Sequence, residues 1–551
     1  MTQGTGHSET LVCVIIGEKE QSTSEVIMKF LKANRPILLY LILYSFLSLL
    51  TLSSFPFAHS DEPWLAGLSL QYLEEGSPFV TEPFFDLMPR QAHMIKSLFH
   101  GLQTIFIATF GYSLFSVRLL SWVCGLVILF LFHWLLKKQG SSPLMALLFT
   151  ILLSLNLQFL YASHFARQEI VLGVSLMIGL LLLHKREGAP NRDVLWIGAC
   201  VGISIGFHPN AFIIGTLIGA GLFYQVLMKE RTLRDLFLYI GTLLFFAAIF
   251  VSLSLLGNPH FFTDYWSFGK TLAVDAAPIN RLENFSHFYI KIFEQISGTY
   301  YLPDLKIVIV LSGLLILCAT VVFFAPRRFF NGLKSNIGLW LSVILGYHVA
   351  VFIIGRYNPT SLFFVILPVF LLASTLAESI IPKNHFKIPL LILFILLSTV
   401  QTGAVLYDHR QDDYPEYLQE IAAHIPTDAI VLGNLNSGFA FEKGSFYDIR
   451  NLGFLEDMFL ETYLKTRKID TIIYYEAYDY IHRNPQWQIL YGDDTAYYDP
   501  LNQVIKKTGT LLHQFESPRY GNRIVKYMGD YPWKVWIYHI DLDRLPASLP
   551  N

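Results

Sequence analysis

Eleven apolar runs, each free of Asp, Glu, Lys and Arg, punctuate the chain. They lie near Pro36–Phe57, Leu119–Leu136, Pro143–Tyr161, Ile170–Leu183, Val194–Phe207, Ala211–Met228, Leu236–Leu256, Ile307–Ala325, Ile337–Gly355, Thr360–Ala377 and Ile388–Tyr407. A helix needs about 20 apolar residues to cross a bilayer, so the pattern predicts a polytopic α-helical membrane protein of about 11 transmembrane helices. The first run begins at residue 36 and is too long for the apolar core of a cleaved signal peptide. Between the first two runs, Trp64–Leu73 and Gln91–Phe110 read as interfacial helices, the second interrupted by His93, Lys96 and His100. Beyond Tyr407 the pattern changes. Asp413–Ile425 is amphipathic, Ala429–Gly433 and Thr471–Tyr475 read as buried strands, Phe454–Thr466 as a helix between them, and Trp533–Ile540 as a last strand.

The connections alternate in basic residues. Lys29, Lys32 and Arg35, then Lys137 and Lys138, Lys185, Arg186 and Arg192, Lys229, Arg231 and Arg234, Arg327, Arg328 and Lys334, and Lys383 with Lys387 fall on one side. The opposite connections are longer and poorer in Lys and Arg. Positive connections stay cytoplasmic. The expected layout is a cytoplasmic segment 1–35, a membrane domain 36–407 with outer loops 58–117 and 257–305, and a C-terminal extracytoplasmic α/β domain, 408–551. The membrane is expected to be the inner cell membrane.

Composition narrows the class. Hydrophobic residues make up 53% and charged residues 15% of the chain, against about 25% charged in soluble domains. That excludes a plain cytosolic enzyme. A formal charge of -2 offers no basic field for a nucleic acid. Cys13, Cys124, Cys200 and Cys318 have neither metal-ligand spacing nor a polar setting, so they imply no disulfide and no structural zinc.

Two adjacent acids, Asp61 and Glu62, stand where the first run ends, in His59-Ser60-Asp61-Glu62-Pro63-Trp64. Carboxylates at a membrane boundary need a partner or a task. They could also start a helix, with Ser60 or Asp61 as cap and Pro63 in the first turn. A third acid, Glu169, lies two residues from Arg167 at another outer run end; the pair reads either as an anchoring salt bridge or as functional groups. His59, His164 and His208 fall at the same level, as interfacial polar residues or ligands. The aromatic loop 257–305 reads as a belt at headgroup depth or as a flap.

The order of these features resembles the GT-C superfamily of membrane glycosyltransferases, in the bacterial branch related to protein O-mannosyltransferases and the lipid A aminoarabinose transferase. The resemblance rests on Asp61-Glu62 at a span end, the Gly76–Pro78 turn between two interfacial helices, Phe110-Gly111-Tyr112-Ser113 and Val117-Arg118-Leu119-Leu120-Ser121. It continues with Ala166-Arg167-Gln168-Glu169, Gly206-Phe207-His208-Pro209-Asn210, and Arg356-Tyr357 before an apolar run ending in Pro368. It implies an integral-membrane enzyme moving a sugar from a polyprenyl-phosphate carrier to an extracytoplasmic lipid, glycan or protein acceptor, with inversion. It implies Asp61 as base, with Glu62 and Glu169 as further acids. Arg167, Arg356, Lys270 and Arg281 would meet the donor phosphate, and His208, Asn210 and Trp64 the substrate. A divalent metal ion shared by Asp61 and Glu169 is left open, and no other cofactor is implied. A transporter or flippase of glycolipid precursors would place ionisable groups at mid-bilayer and show repeated halves; apart from His133 and His348 the runs hold none. A non-catalytic envelope-assembly subunit is the remaining alternative.

Overall fold

The computed structural model describes residues 23–81, 83–87, 92–184, 191–271, 278–293, 336–355, 359–380, 384–411, 413–441, 444–455, 458–484, 497–522, 524–525, 528 and 531–546. The chain divides into two compact units, Met1–Leu50 and Thr51–Asn551. In the first, the helix Thr23–Thr51 presents Leu39, Ile42, Leu43, Phe46 and Leu50 exposed. Such a face suits lipid, not water.

The second unit is built mostly of helices. Each predicted run within the described residues falls on helix, and Ile307–Ala325 lies outside them. Counting both units, six stretches are long and apolar enough to cross a membrane: Met28–Thr51, Leu114–Lys138, Leu233–Gly257, Asn336–Ile354, Pro359–Glu378 and one within Phe386–Ala423. The protein is therefore a multi-pass membrane protein. The helices Gln168–Leu183 and Ala211–Leu227 are apolar but shorter. Close approach relies on small residues. A methyl group at Gly346 would lie 2.7 Å from the Ala220 Cβ and 2.8 Å from the Thr216 carbonyl oxygen, so glycine lets Asn336–Ile354 and Ala211–Leu227 touch backbone to backbone.

One predicted span is not a single rod. Pro143–Tyr161 was expected as one helix, but Pro143–Ser154 and Leu157–His164 meet at 68°. Asn156 causes the break by capping the second helix, its side chain accepting from the Phe159 amide at 3.0 Å. The Leu155 carbonyl freed at the bend accepts from the Thr402 hydroxyl at 2.7 Å.

The loop between the first two runs folds as expected into paired helices, Asp61–Glu75 and Ser97–Phe110. Buried Ser69 joins them, hydrogen-bonded to His100 Nδ1 at 2.8 Å and to Gln103 Oε1 at 2.5 Å. The helices Phe261–Thr271 and Pro278–Phe293 lie within the aromatic loop; Phe262, Tyr265 and Trp266 are exposed while Phe261 packs with Ile95 and Phe250.

The tail forms a five-stranded mixed sheet: β1 Val431–Gly433, β2 Phe446–Asp448, β3 Thr471–Tyr475, β4 Gly509–Glu516 and β5 Lys534–Ile540, in the order β2-β1-β3-β5-β4. β2, β1 and β3 run parallel, and β5 is antiparallel to both β3 and β4. β3 is buried at every position. The predicted strands at 429–433, 471–475 and 533–540 are present, and the predicted helix Phe454–Thr466 forms only at its end, Leu460–Arg467. The sheet's core is not its own. It continues through Ala58, Ala66, Phe84, Phe85, Ile107 and Val117. Polar contacts seal the same junction: Asn451 Nδ2 donates to the Phe84 carbonyl at 2.9 Å, and the Tyr463 hydroxyl to Asp86 at 2.9 Å.

Candidate active site

The helix Asp61–Glu75 opens with two acids in its first turn, favoured there by the helix dipole. Its cap is not the expected one. Ser60 makes no side-chain capping bond; instead the Asp61 amide donates to His59 Nδ1 at 3.0 Å and the His59 amide donates to Glu62 Oε2 at 3.1 Å.

Glu62 is completely buried, as is Arg118. Arg118 donates from Nε to Oε1 and from Nη2 to Oε2, both at 2.7 Å. Its other bonds run to the carbonyls of Leu52 at 2.9 Å, Phe55 at 3.2 Å and Pro56 at 2.9 Å. The five guanidinium N–H groups thus have five acceptors. Oε1 of Glu62 also accepts from the Ala166 amide at 3.0 Å. With four donors on it, the carboxylate has its lone-pair sites filled. This corrects the expectation for Glu62. It is a positioning residue that fixes the segment before Arg167, and it has no capacity left to take a proton from a substrate.

Asp61 and Glu169 are different. Arg167 stands between them, pairing through Nη1 with Asp61 at 2.5 Å. Through Nε and Nη2 it reaches both oxygens of Glu169 at 3.3 Å. The side chains of Asp61, Arg167 and Glu169 are 10%, 13% and 5% exposed, so the trio is largely dry yet reachable. The loop carrying Arg167 is pinned twice, by Glu62 at the Ala166 amide and by the Ser121 hydroxyl on the Phe165 carbonyl at 2.7 Å. Both readings of Glu169 thereby share one geometry: it is salt-bridged to Arg167 and linked through it to Asp61. The cation joining the acids is a guanidinium, so a divalent ion shared by the pair would have to displace it.

Arg167 and Glu169 line a cleft of about 290 Å³, open to solvent, with Gln158, Tyr161, Phe165 and Phe363 among its walls. Polar groups converging on an apolar wall are what a small-molecule site requires. Sequence reasoning missed Gln158, Tyr161 and Thr360 in this lining, because residues inside apolar helices give no periodic signal of facing a cleft. It also missed Arg118 as the partner of Glu62.

The remaining expected residues lie elsewhere. His208 Nδ1 accepts from the Asn210 amide at 3.0 Å, forming a turn beside Gly206, whose carbonyl accepts from the Lys96 amide at 3.1 Å; neither residue lines the cleft. Trp64 packs edge-on to Phe85 at 6.4 Å. Arg281 Nη1 donates to the Ile353 carbonyl at 2.5 Å, capping the end of Asn336–Ile354. His164 is fully buried, with Nδ1 against the Leu160 carbonyl at 3.0 Å. Arg356 and the side chain of Lys270 lie outside the described residues. Tyr414 reaches the same core, its hydroxyl donating to the Asn436 carbonyl. Burial, then the neighbouring Tyr520 and Glu62, push its pKa well above the ordinary tyrosine value, so it stays protonated.

The arrangement has counterparts among known structures. ArnT from Cupriavidus metallidurans bound to undecaprenyl phosphate superimposes with a TM-score of 0.55 at 11% identity, covering 92% of this chain and 98% of that one. The apo form of the same protein gives 0.51 at 11% identity, covering 92% and 99%. The chain has the GT-C fold. Within that fold, residues 101–256 match the family described as dolichyl-phosphate-mannose-protein mannosyltransferase. That stretch holds Arg118, Arg167 and Glu169. No curated protein matches the chain by sequence.

Proposed function

We propose that this chain is a membrane glycosyltransferase that takes a sugar from a polyprenyl-phosphate carrier and passes it, with inversion, to an acceptor outside the cytoplasm. The observation carrying this reading is the Asp61–Arg167–Glu169 chain at the cleft. With all three ionised its net formal charge is -1, and its one cation is held by side-chain contacts that a bound phosphate can replace. When the donor phosphate enters, Arg167 turns a pair of N–H groups to it, and the Asp61 carboxylate is released to face the acceptor. The acceptor oxygen then attacks the anomeric carbon, its proton passes to Asp61, and the bond to the carrier phosphate breaks. The phosphate leaves paired with Arg167. Glu169 keeps hold of the guanidinium throughout. The sheet and the loop 58–117 lie on the extracytoplasmic side in this reading. ArnT, bound to a polyprenyl phosphate, supports the choice of carrier.

The test is turnover by purified protein in proteoliposomes, read as release of polyprenyl phosphate from hexosyl and pentosyl donors. Nucleotide sugars without a lipid carrier should be inert. Asp61→Asn keeps size and fold but loses basicity, and should slow transfer by about 10²–10⁴. Near-parental transfer by that variant sinks Asp61 as base, and turnover of a nucleotide sugar alone places the protein in another enzyme class.

A further inference from the structure

Away from the cleft, three metal-ligating side chains converge where the tail helix meets the sheet. Glu420 and His424 are four residues apart, on the helix Tyr414–Ala423 and at its C-cap, and so share a face. His513 comes from β4, the last strand in the sheet order. The β4–β5 register shifts between Leu511 and His513, and such an irregularity re-aims the side chain beside it. One ligand atom from each residue lies within 4.8 Å of the others. His513 Nε2 is 2.7 Å from Glu420 Oε1, and His424 Nδ1 is 4.0 Å from the same oxygen.

These separations are close to what a metal ion imposes. Zinc bonds of about 2.0–2.2 Å set in a tetrahedron hold ligand atoms about 3.3 Å apart. The two imidazoles are stacked at 3.4 Å with 2° between their planes. Their lone pairs lie in those parallel planes, so a common ion requires a tilt of one ring. His424, Glu420 and His513 are 35%, 40% and 26% exposed, which leaves room for that rotation and a path for the ion. His424 is set up for it. Its Nδ1 is 2.9 Å from the Glu420 carbonyl oxygen, which can only accept. In the neutral ring that fixes the proton on Nδ1 and presents Nε2 as the ligand. Phe515 lies nearly parallel to His513 at 6.0 Å and backs the pair.

We propose that Glu420, His424 and His513 bind a divalent transition metal of the zinc class, which staples the helix Tyr414–Ala423 to β4. Two imidazoles and one carboxylate favour zinc over calcium or magnesium, which take oxygen ligands. The fourth position falls to water. On binding, the ion replaces the proton between His513 and Glu420, and that proton is released. Because Tyr414 and Tyr417 on this helix are part of the core shared with the loop 58–117, the ion stabilises the junction between sheet and helices. It takes no part in the transfer reaction.

The experiment uses the full chain in detergent, stripped with a chelator, desalted and titrated with zinc chloride. Calorimetry and metal analysis after gel filtration should give about one equivalent bound, with a thermal midpoint that rises with zinc. Magnesium at the same concentrations should give neither. His513→Gln and Glu420→Gln should each weaken zinc binding by at least about ten-fold, whereas His482→Gln, at a surface histidine stacked on Tyr498, should not. Zinc uptake that does not saturate, or equal affinity in parent and both ligand variants, overturns the site. Neither readout depends on sugar transfer, so the result stands apart from the proposed activity.

Discussion

Replacing Glu62 with glutamine separates a positioning acid from a reacting one. The substitution keeps the shape of the side chain but removes the charge facing Arg118, in a pair whose members are both fully buried. Breaking a buried pair by neutralising one partner costs about 3–5 kcal/mol, because the other charge is left uncompensated. The unfolding entropy of about 2.1 cal/mol/K per residue, taken over 551 residues, makes each kcal/mol worth about 1 °C. Glu62→Gln should therefore lower the thermal midpoint by about 3–5 °C in detergent. The second half of the prediction is the double variant Glu62→Gln with Arg118→Met, which removes both charges. It should recover a good part of the loss, since a neutral pair no longer strands a buried cation. The assay is thermal denaturation of the purified proteins, followed by tryptophan fluorescence, with transfer measured well below the midpoint. A Glu62→Gln protein that melts with the parent yet transfers no sugar would refute the positioning role and return Glu62 to the reacting groups.

Arg167→Lys keeps the charge but loses the planar fork that meets Asp61 on one side and both oxygens of Glu169 on the other. It should raise the KM for the lipid donor and lower kcat, and unchanged values for both would remove Arg167 from phosphate binding. A reporter active only outside the cytoplasm should work when fused after Asn551 and fail after Lys138 or Arg234; activity at Arg234 breaks the alternation of basic connections.

Spans were legible in this sequence because burial in lipid demands long apolar runs, and nothing in a soluble core competes with that signal. What length alone hid was the break at Asn156. One polar residue in an apolar run is a weak mark, although Asn before Leu157-Gln158-Phe159 is a helix cap in plain view. In the tail, β3 could be read from Thr-Ile-Ile-Tyr-Tyr since every position is buried. β4 could not: it is an edge strand, and its exposed Leu511 and Leu512 follow no alternation. β2 is only three residues long. At the site, the local pair Arg167–Glu169 was readable from spacing. The partner of Glu62 sits 56 residues away in sequence, inside an apolar helix, and no local rule points to it.

Why two neighbouring acids should differ so sharply follows from the helix that starts with them. Successive residues are turned about 100° around a helix axis, so when Asp61 faces the cleft Glu62 must face into the protein. There it would be intolerable unpaired. Arg118 answers that demand, and with its spare N–H groups it also takes up the Leu52, Phe55 and Pro56 carbonyls, which have turned out of the preceding helix. Glu62 passes the constraint on through the Ala166 amide to the residue before Arg167. The acid that cannot react thus fixes both sides of the one that can: it sets where the Asp61 helix begins and where the Arg167 loop runs. Only Asp61 is left with a partner that a substrate phosphate can draw away, and an acid–acid pair at a span end becomes one clamp and one base.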